Sequence, residues 1–294
     1  MGMDAFSRSH PAVNFLFFVG AIGFGVVLQH PAYLLVSILG GAAYYLLLHG
    51  RRGIKMLASM LPLFLLLTAV NPLLNTYGFT VLFHIFGRPY TAEALMYGGA
   101  IASVFVIMLL WFGCYNAVMT SDKFTSLFGN LIPALSLLLV MVLRMIPNLM
   151  RKARQISGVR KSVGKGFRTS NKAKIEEGMT VLGSLTSWAL EGSIVTADSM
   201  RSRGYGSTKR TSFTIYRMTA SDWALLAVML ALMIAVFIAT ATGGTKAEYT
   251  PQWEIAPVTG MRILGLAAYC TYLFLPTALH IKEAIQWHIS RSKI

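Results

Sequence analysis

The chain has 294 residues, 55% of them hydrophobic and only 13% charged, with a formal net charge of +15 and a mean hydropathy of +0.60. A soluble chain of this length carries roughly 25% charged residues, so the composition excludes an ordinary soluble domain. The basic excess is not read as a nucleic-acid signature, because lysines and arginines gathered in cytoplasmic loops of a membrane protein produce the same balance.

A first apolar run, 12–29, follows the early Arg8. It has the charge pattern of a signal peptide, but no small-x-small cleavage site follows and a second apolar run begins almost at once. It is therefore read as a membrane helix. A bilayer core of about 30 Å needs about 20 apolar residues in a helix. Segments 32–49, 55–74, 92–119, 222–242 and 257–281 meet that need and bring the predicted spans to six. The first two are joined by Gln29-His30-Pro31, a tight turn. Between the third and fourth, residues 75–91 contain an apolar Phe79–Phe83 stretch and Gly87-Arg88-Pro89, too short to cross as a helix. A β-hairpin or re-entrant turn capping the outer face fits that stretch.

Orientation follows from counting. With the N-terminus inside and the spans alternating, only Arg88, Lys246 and Arg262 of the 26 lysines and arginines fall outside. Positive residues are retained on the cytoplasmic side, so both termini and the basic block 121–220 are expected there, in a multi-pass protein of the cell membrane. The expected fold is an all-α integral membrane protein. A four-helix membrane part over 1–120 precedes a basic cytoplasmic region over 121–220, and a two-helix membrane part over 221–294 follows.

The central block is patterned as helix. Leu131 to Leu143 is apolar and ends at Arg144. At thirteen residues it is too short to span, which makes it a buried or interfacial helix. Ile146, Leu149, Met150, Ala153, Ile156, Val159 and Val163 then recur at helical spacing. Arg151, Lys152, Arg154, Arg160 and Lys161 are assigned to the opposite face of this cationic amphipathic helix. Arg144 and Pro147 are expected to supply a bend and a cap. Gly164 and Gly166 break the pattern. A second helix puts Ile175, Met179, Leu182, Leu185 and Ala189 on one face and runs to Arg201-Ser202-Arg203-Gly204. Cations followed by glycine mark a helix C-terminus, since the cations suit the negative end of the dipole and glycine accepts a left-handed cap. Two such helices suit either an anionic membrane surface or a soluble partner whose carboxylates meet arginine.

Arg144-Met145-Ile146-Pro147, the cationic helix after it, and the string from Ala197 to Gly206 ending Met200-Arg201-Ser202-Arg203-Gly204-Tyr205-Gly206 resemble the transmembrane coupling subunit (T component) of energy-coupling-factor transporters. This is the family that includes the membrane subunit of cobalt importers, and the resemblance covers most of the chain. It implies a non-catalytic scaffold of an importer for a vitamin or metal ion. Such a scaffold joins two cytoplasmic ATP-binding-cassette ATPases to a small membrane subunit that captures the substrate, and it needs no cofactor of its own. It also implies that two coupling helices each end in an Ala-Arg-Gly motif whose arginine docks on one ATPase. The second motif corresponds to Ser202-Arg203-Gly204, which keeps the arginine. The first corresponds to Ser162-Val163-Gly164, where valine stands in its place and Arg160 and Lys161 are the nearest cations.

No Gly-x-x-x-x-Gly-Lys-[Ser/Thr] loop occurs, so nucleotide chemistry is expected in partners. The six histidines are scattered, and Cys114 and Cys270 lie in apolar runs, without disulfide or metal-ligand spacing. Carboxylates are nearly lacking within the spans, whereas a proton- or sodium-coupled carrier generally uses one there. The alternative reading is a stand-alone permease or channel with a basic lipid-binding or regulatory segment.

Overall fold

A computed structural model describes residues 5–75, 78, 80–85, 88–129, 133–163, 171–205, 216–242, 247–248, 254–255 and 260–291. In chain order the elements are α1 (Ala5–Arg8), α2 (Pro11–Val27), α3 (Pro31–His49), α4 (Arg51–Leu74), β1 (Val81–Ile85), β2 (Arg88–Thr91) and α5 (Ala92–Val118). Then come α6 (Ser121–Gly129), α7 (Pro133–Ser162), α8 (Asn171–Ser202), α9 (Ala220–Ala241), β3 (Ala247–Glu248), β4 (Glu254–Ile255) and α10 (Gly260–Arg291). The chain divides into two units, one of Met1–Phe124 with Tyr216–Ile294, the other of Thr125–Ile215.

The first unit is a helix bundle. α3, α4, α5, α9 and residues Arg262–Trp287 of α10 are each long and apolar enough to cross a membrane. The sixth expected span coincides with α2, which is apolar but has 17 residues, about 26 Å of helix. α2 and α3 begin alike. Pro11 and Pro31 open the helices, where a missing N–H costs nothing. The preceding His10 and His30 accept through Nδ1 from the N–H of Ala12 and Ala32 at 3.2 and 3.3 Å. The turn expected at 29–31 is thus a helix cap as well.

The bundle core is aromatic. Phe17 and Phe18 of α2 meet Trp111 of α5 edge-on, and Phe17 lies 5.1 Å from Tyr272 of α10. Two polar tips inside this core find partners across helices. The Tyr272 hydroxyl donates to the Phe17 carbonyl at 2.9 Å, and the Trp111 indole donates to Ser37 Oγ at 3.1 Å. Without water to serve them, such groups cost several kcal/mol if left unpaired. Close approach of the helices depends on small residues, as membrane packing generally does. A Cβ on Gly20 would lie 2.2 Å from the Tyr272 hydroxyl, and one on Gly265 would lie 2.4 Å from the Ala239 Cβ. Conversely Leu61, Leu65 and Leu66 of α4 point outward, the arrangement a lipid-facing helix requires.

The 75–91 connection contains the hairpin that its sequence allowed. β1 and β2 pair antiparallel from Phe83↔Tyr90 to Ile85↔Arg88, with an irregularity between Val81 and Phe83. Phe83 and Tyr90 stack at 4.6 Å. The short β3–β4 pair near α10 has no counterpart in the sequence reading.

In the second unit residues 133–143 of the apolar run and the cationic helix after it are not separate. Both belong to α7, a single helix of 30 residues that continues through Pro147. The cap expected at Arg144 and Pro147 is therefore absent. Proline removes one donor, leaving the Leu143 carbonyl without its usual intrahelical partner, and that loss does not end the helix. Both residues are exposed.

Candidate functional site

α7 and α8 pack against each other within the second unit. The seam is built from Leu149, Ala153 and Ile156 of α7 and from Val181, Leu185 and Trp188 of α8, all partly buried. Their spacings of three and four residues place each set on one helical face. Ala153, Arg154 and Ser157 line a shallow groove together with Lys174, Glu177, Gly178 and Val181.

Two cations assigned to the solvated face of α7 lie elsewhere. The Lys152 ammonium sits 5.6 Å from the centroid of the Trp188 ring, a cation–π contact across the seam. Arg160 is only partly exposed, and its Nε is buried with no hydrogen-bond partner among the described residues. Arg151, Arg154 and Lys161 remain exposed. Of the two cations nearest Val163, Lys161 is thus the more accessible.

The apolar face read for α8 divides in two. Leu185 and Ala189 turn toward the seam, whereas Ile175, Met179, Leu182 and Leu190 are 68%, 66%, 59% and 62% exposed. At 100° per residue the uncovered stripe is centred about 140° from the seam. It runs some 22 Å from Ile175 to Leu190. No lysine, arginine, aspartate or glutamate interrupts it, since Thr186 fills the one position between Leu182 and Leu190 on this line.

The two helix ends differ. α8 closes in a Schellman turn. Gly204 has φ of 76°. Its N–H donates to the Arg201 carbonyl at 3.0 Å, and the Tyr205 N–H donates to the Met200 carbonyl at 3.1 Å. These two bonds and a left-handed residue define the motif and satisfy carbonyls the helix end would orphan. Arg203 is the cap residue and is exposed, as are Ser202 and Gly204. Ser202 Oγ donates back to the Ser199 carbonyl at 2.9 Å, so its hydroxyl is turned along its own helix. Arg203 and Arg201 are both exposed at this tip, and cations there suit the helix dipole.

The α7 end presents a hydrocarbon instead. The helix stops at Ser162, whose hydroxyl donates to the Gly158 carbonyl at 3.1 Å, and Val163 donates its N–H to the Val159 carbonyl at 3.1 Å. The Val163 side chain is exposed. Gly164 lies outside the described residues, as do residues 165–170, Gly166 among them.

Sequence reasoning missed the Lys152–Trp188 contact, although a lone tryptophan in a polar helix facing a cationic one was its signal. It gave no role to Lys123, and placed Asp222 only at the edge of a span; they are 8% and 7% exposed in the first unit. Compared with protein-family models and with curated proteins, the chain matches none of them.

Proposed function

We propose that the chain is the non-catalytic membrane coupling subunit of an ATP-driven energy-coupling-factor importer for a vitamin or metal ion. The observation that carries this reading is the tip of α8, where an exposed Arg203 caps a 32-residue helix and a left-handed Gly204 fixes the turn behind it. A planar guanidinium held at a rigid helix end is suited to a carboxylate-bearing groove on a soluble partner. The uncovered Ile175–Leu190 stripe supports the same reading, because a scaffold needs a second surface for the substrate-capture subunit.

In this proposal all six apolar helices span the cell membrane, α2 included, since 17 residues is the short end of what a bilayer accepts. Both termini and the 125–215 unit lie in the cytoplasm. Two ATP-binding-cassette ATPases bind the helix ends, through Arg203 at one and through Val163 with Lys161 or Arg160 at the other. Hydrolysis takes place in the ATPases, and their movement reaches the capture subunit through α7 and α8.

Affinity isolation from the native membrane in mild detergent tests this. ATPases and a small membrane protein should be recovered in stoichiometric amounts, and the separated chain should neither bind nor hydrolyse ATP. Recovery of a transport-competent homo-oligomer alone would overturn the reading in favour of a stand-alone permease or channel.

A further inference from the structure

Residues 5–10, which precede α2, carry no hydrophobic run and a single arginine, yet they meet residues of α2, α3, α6, α9 and α10. Phe6 is fully buried and packs edge-on against Phe17, Phe18 and Tyr44, its centroid 5.1 Å from that of Phe17. Ser7 receives the Lys123 ammonium on both its carbonyl and its hydroxyl, the latter at 3.1 Å. The same ammonium donates to the Val118 carbonyl at the end of α5, at 3.0 Å. Arg8 pairs with Glu283 of α10 at 2.8 Å. The His10 N–H donates to Asp222 Oδ1 at 3.1 Å, and the His10 ring meets Tyr216 edge-on. Asp222 Oδ2 meanwhile accepts from the Thr219 N–H at 3.0 Å and hydroxyl at 2.8 Å, completing the capping box of α9.

These contacts fall at two places that matter for chain connectivity. Lys123 is the last charged residue before the chain leaves the first unit at Phe124, and Tyr216 to Asp222 is the stretch on which it returns. Lys123 in α6 and Asp222 in the first turn of α9 are nearly buried ionised groups, and each is satisfied by hydrogen bonds to the N-terminal segment as well as within its own stretch of chain. A buried charge persists only while such bonds hold, so neither helix end leaves its position without breaking them. We infer that residues Phe6 to His10 form a clasp that locks the start of α6 at Lys123 and the start of α9 at Asp222 into one rigid base for the 125–215 unit. Under the coupling function proposed above, on which this consequence rests, the clasp prevents movement of α7 and α8 from being lost in two slack connections. Lys123 and Asp222 are then positioning residues.

Peptide-resolved hydrogen exchange on the full chain in lipid nanodiscs tests the clasp directly. Lys123→Met keeps the length of the side chain and removes the charge and its three donated bonds. Exchange over residues 5–12 should rise roughly tenfold, and exchange over 216–222, which His10 ties to the same segment through Asp222, should rise with it. Faster exchange over 5–12 alone, or over neither, overturns the clasp. If Lys123→Met does not yield a single species, Ser7→Ala removes one acceptor and should give a coupled rise of roughly threefold, with the same two outcomes counting against it. A second arm measures substrate uptake per ATP hydrolysed in the complete transporter. Retained ATPase binding with several-fold lower uptake supports the positioning role. Unchanged uptake despite coupled loosening overturns that role and leaves the coupling function standing. If the unaltered chain recovers no ATPase, the proposed function fails, and the exchange result still decides the clasp.

Discussion

Lys152 on α7 lies over the face of Trp188 on α8, 5.6 Å from the ring centroid, and this pair joins the two helices across a seam that also carries a shallow groove. A partly desolvated cation–π pair contributes about 0.5–2 kcal/mol. Trp188→Ala removes that term together with the buried ring. Trp188→Leu keeps most of the packing and loses the cation contact. Hydrogen exchange across 149–160 should rise for both, more for alanine. Lys152→Met should add little on the Trp188→Leu background, because the partner it would lose is already gone. Additive effects of the two changes would mean the pair is not coupled.

The arginine at the α8 tip gives the sharpest functional prediction. Removing one partner of a desolvated charge pair costs ~2–5 kcal/mol, roughly 30- to several-thousand-fold in affinity. Arg203→Ala should weaken ATPase binding on that scale while insertion and expression remain normal. Arg203→Lys should rescue in part, since an ammonium keeps charge without the planar fork. Arg210→Ala, seven residues further along the sequence, is the control. Equal small losses in both alanine variants, matched by added salt, would reduce Arg203 to one surface charge among many.

Gly204→Ala tests the geometry rather than the charge. The φ of 76° costs an L-residue about 1–2 kcal/mol. The last turn of α8 should fray, and binding of the ATPase should weaken about 5- to 30-fold for that energy although Arg203 is intact. A variant that binds normally would show that the cap residue need not be held in the Schellman turn.

At the other tip, Val163 exposes a hydrocarbon where the resembled motif carries arginine. Val163→Arg is expected to leave ATPase assembly intact or to strengthen it, read by the stoichiometry of the isolated complex. Loss of one ATPase would mean the valine is itself a contact and that this end docks by packing.

Orientation is testable with a membrane-impermeant thiol reagent on a Cys270→Ser background. Cys114 is fully buried and should stay silent. A cysteine replacing Arg52 should react only from the cytoplasmic side, and one replacing Thr245 only from outside. Labelling of position 52 from outside would invert the arrangement of helices proposed here.

Much of the architecture was written locally in the chain. Hydrocarbon excludes charge residue by residue, so any 20-residue window reveals whether it can form a span, and α3, α4, α5, α9 and α10 all fall where such windows predict. The end of α8 was equally legible, because a turn needing φ above zero selects glycine within its own four residues. Tertiary structure decided the rest. Helical periodicity identifies apolar positions on α8 but not their partner, and packing on α7 took Val181, Leu185 and Trp188 while leaving Ile175, Met179 and Leu182 uncovered. Proline at 147 is a local boundary signal, yet one forfeited hydrogen bond does not outweigh helix on both sides of it. The clasp lay furthest from view. Ser7 meets Lys123 across 116 positions and His10 meets Asp222 across 212, and a charge seen in sequence says nothing about which distant backbone will solvate it.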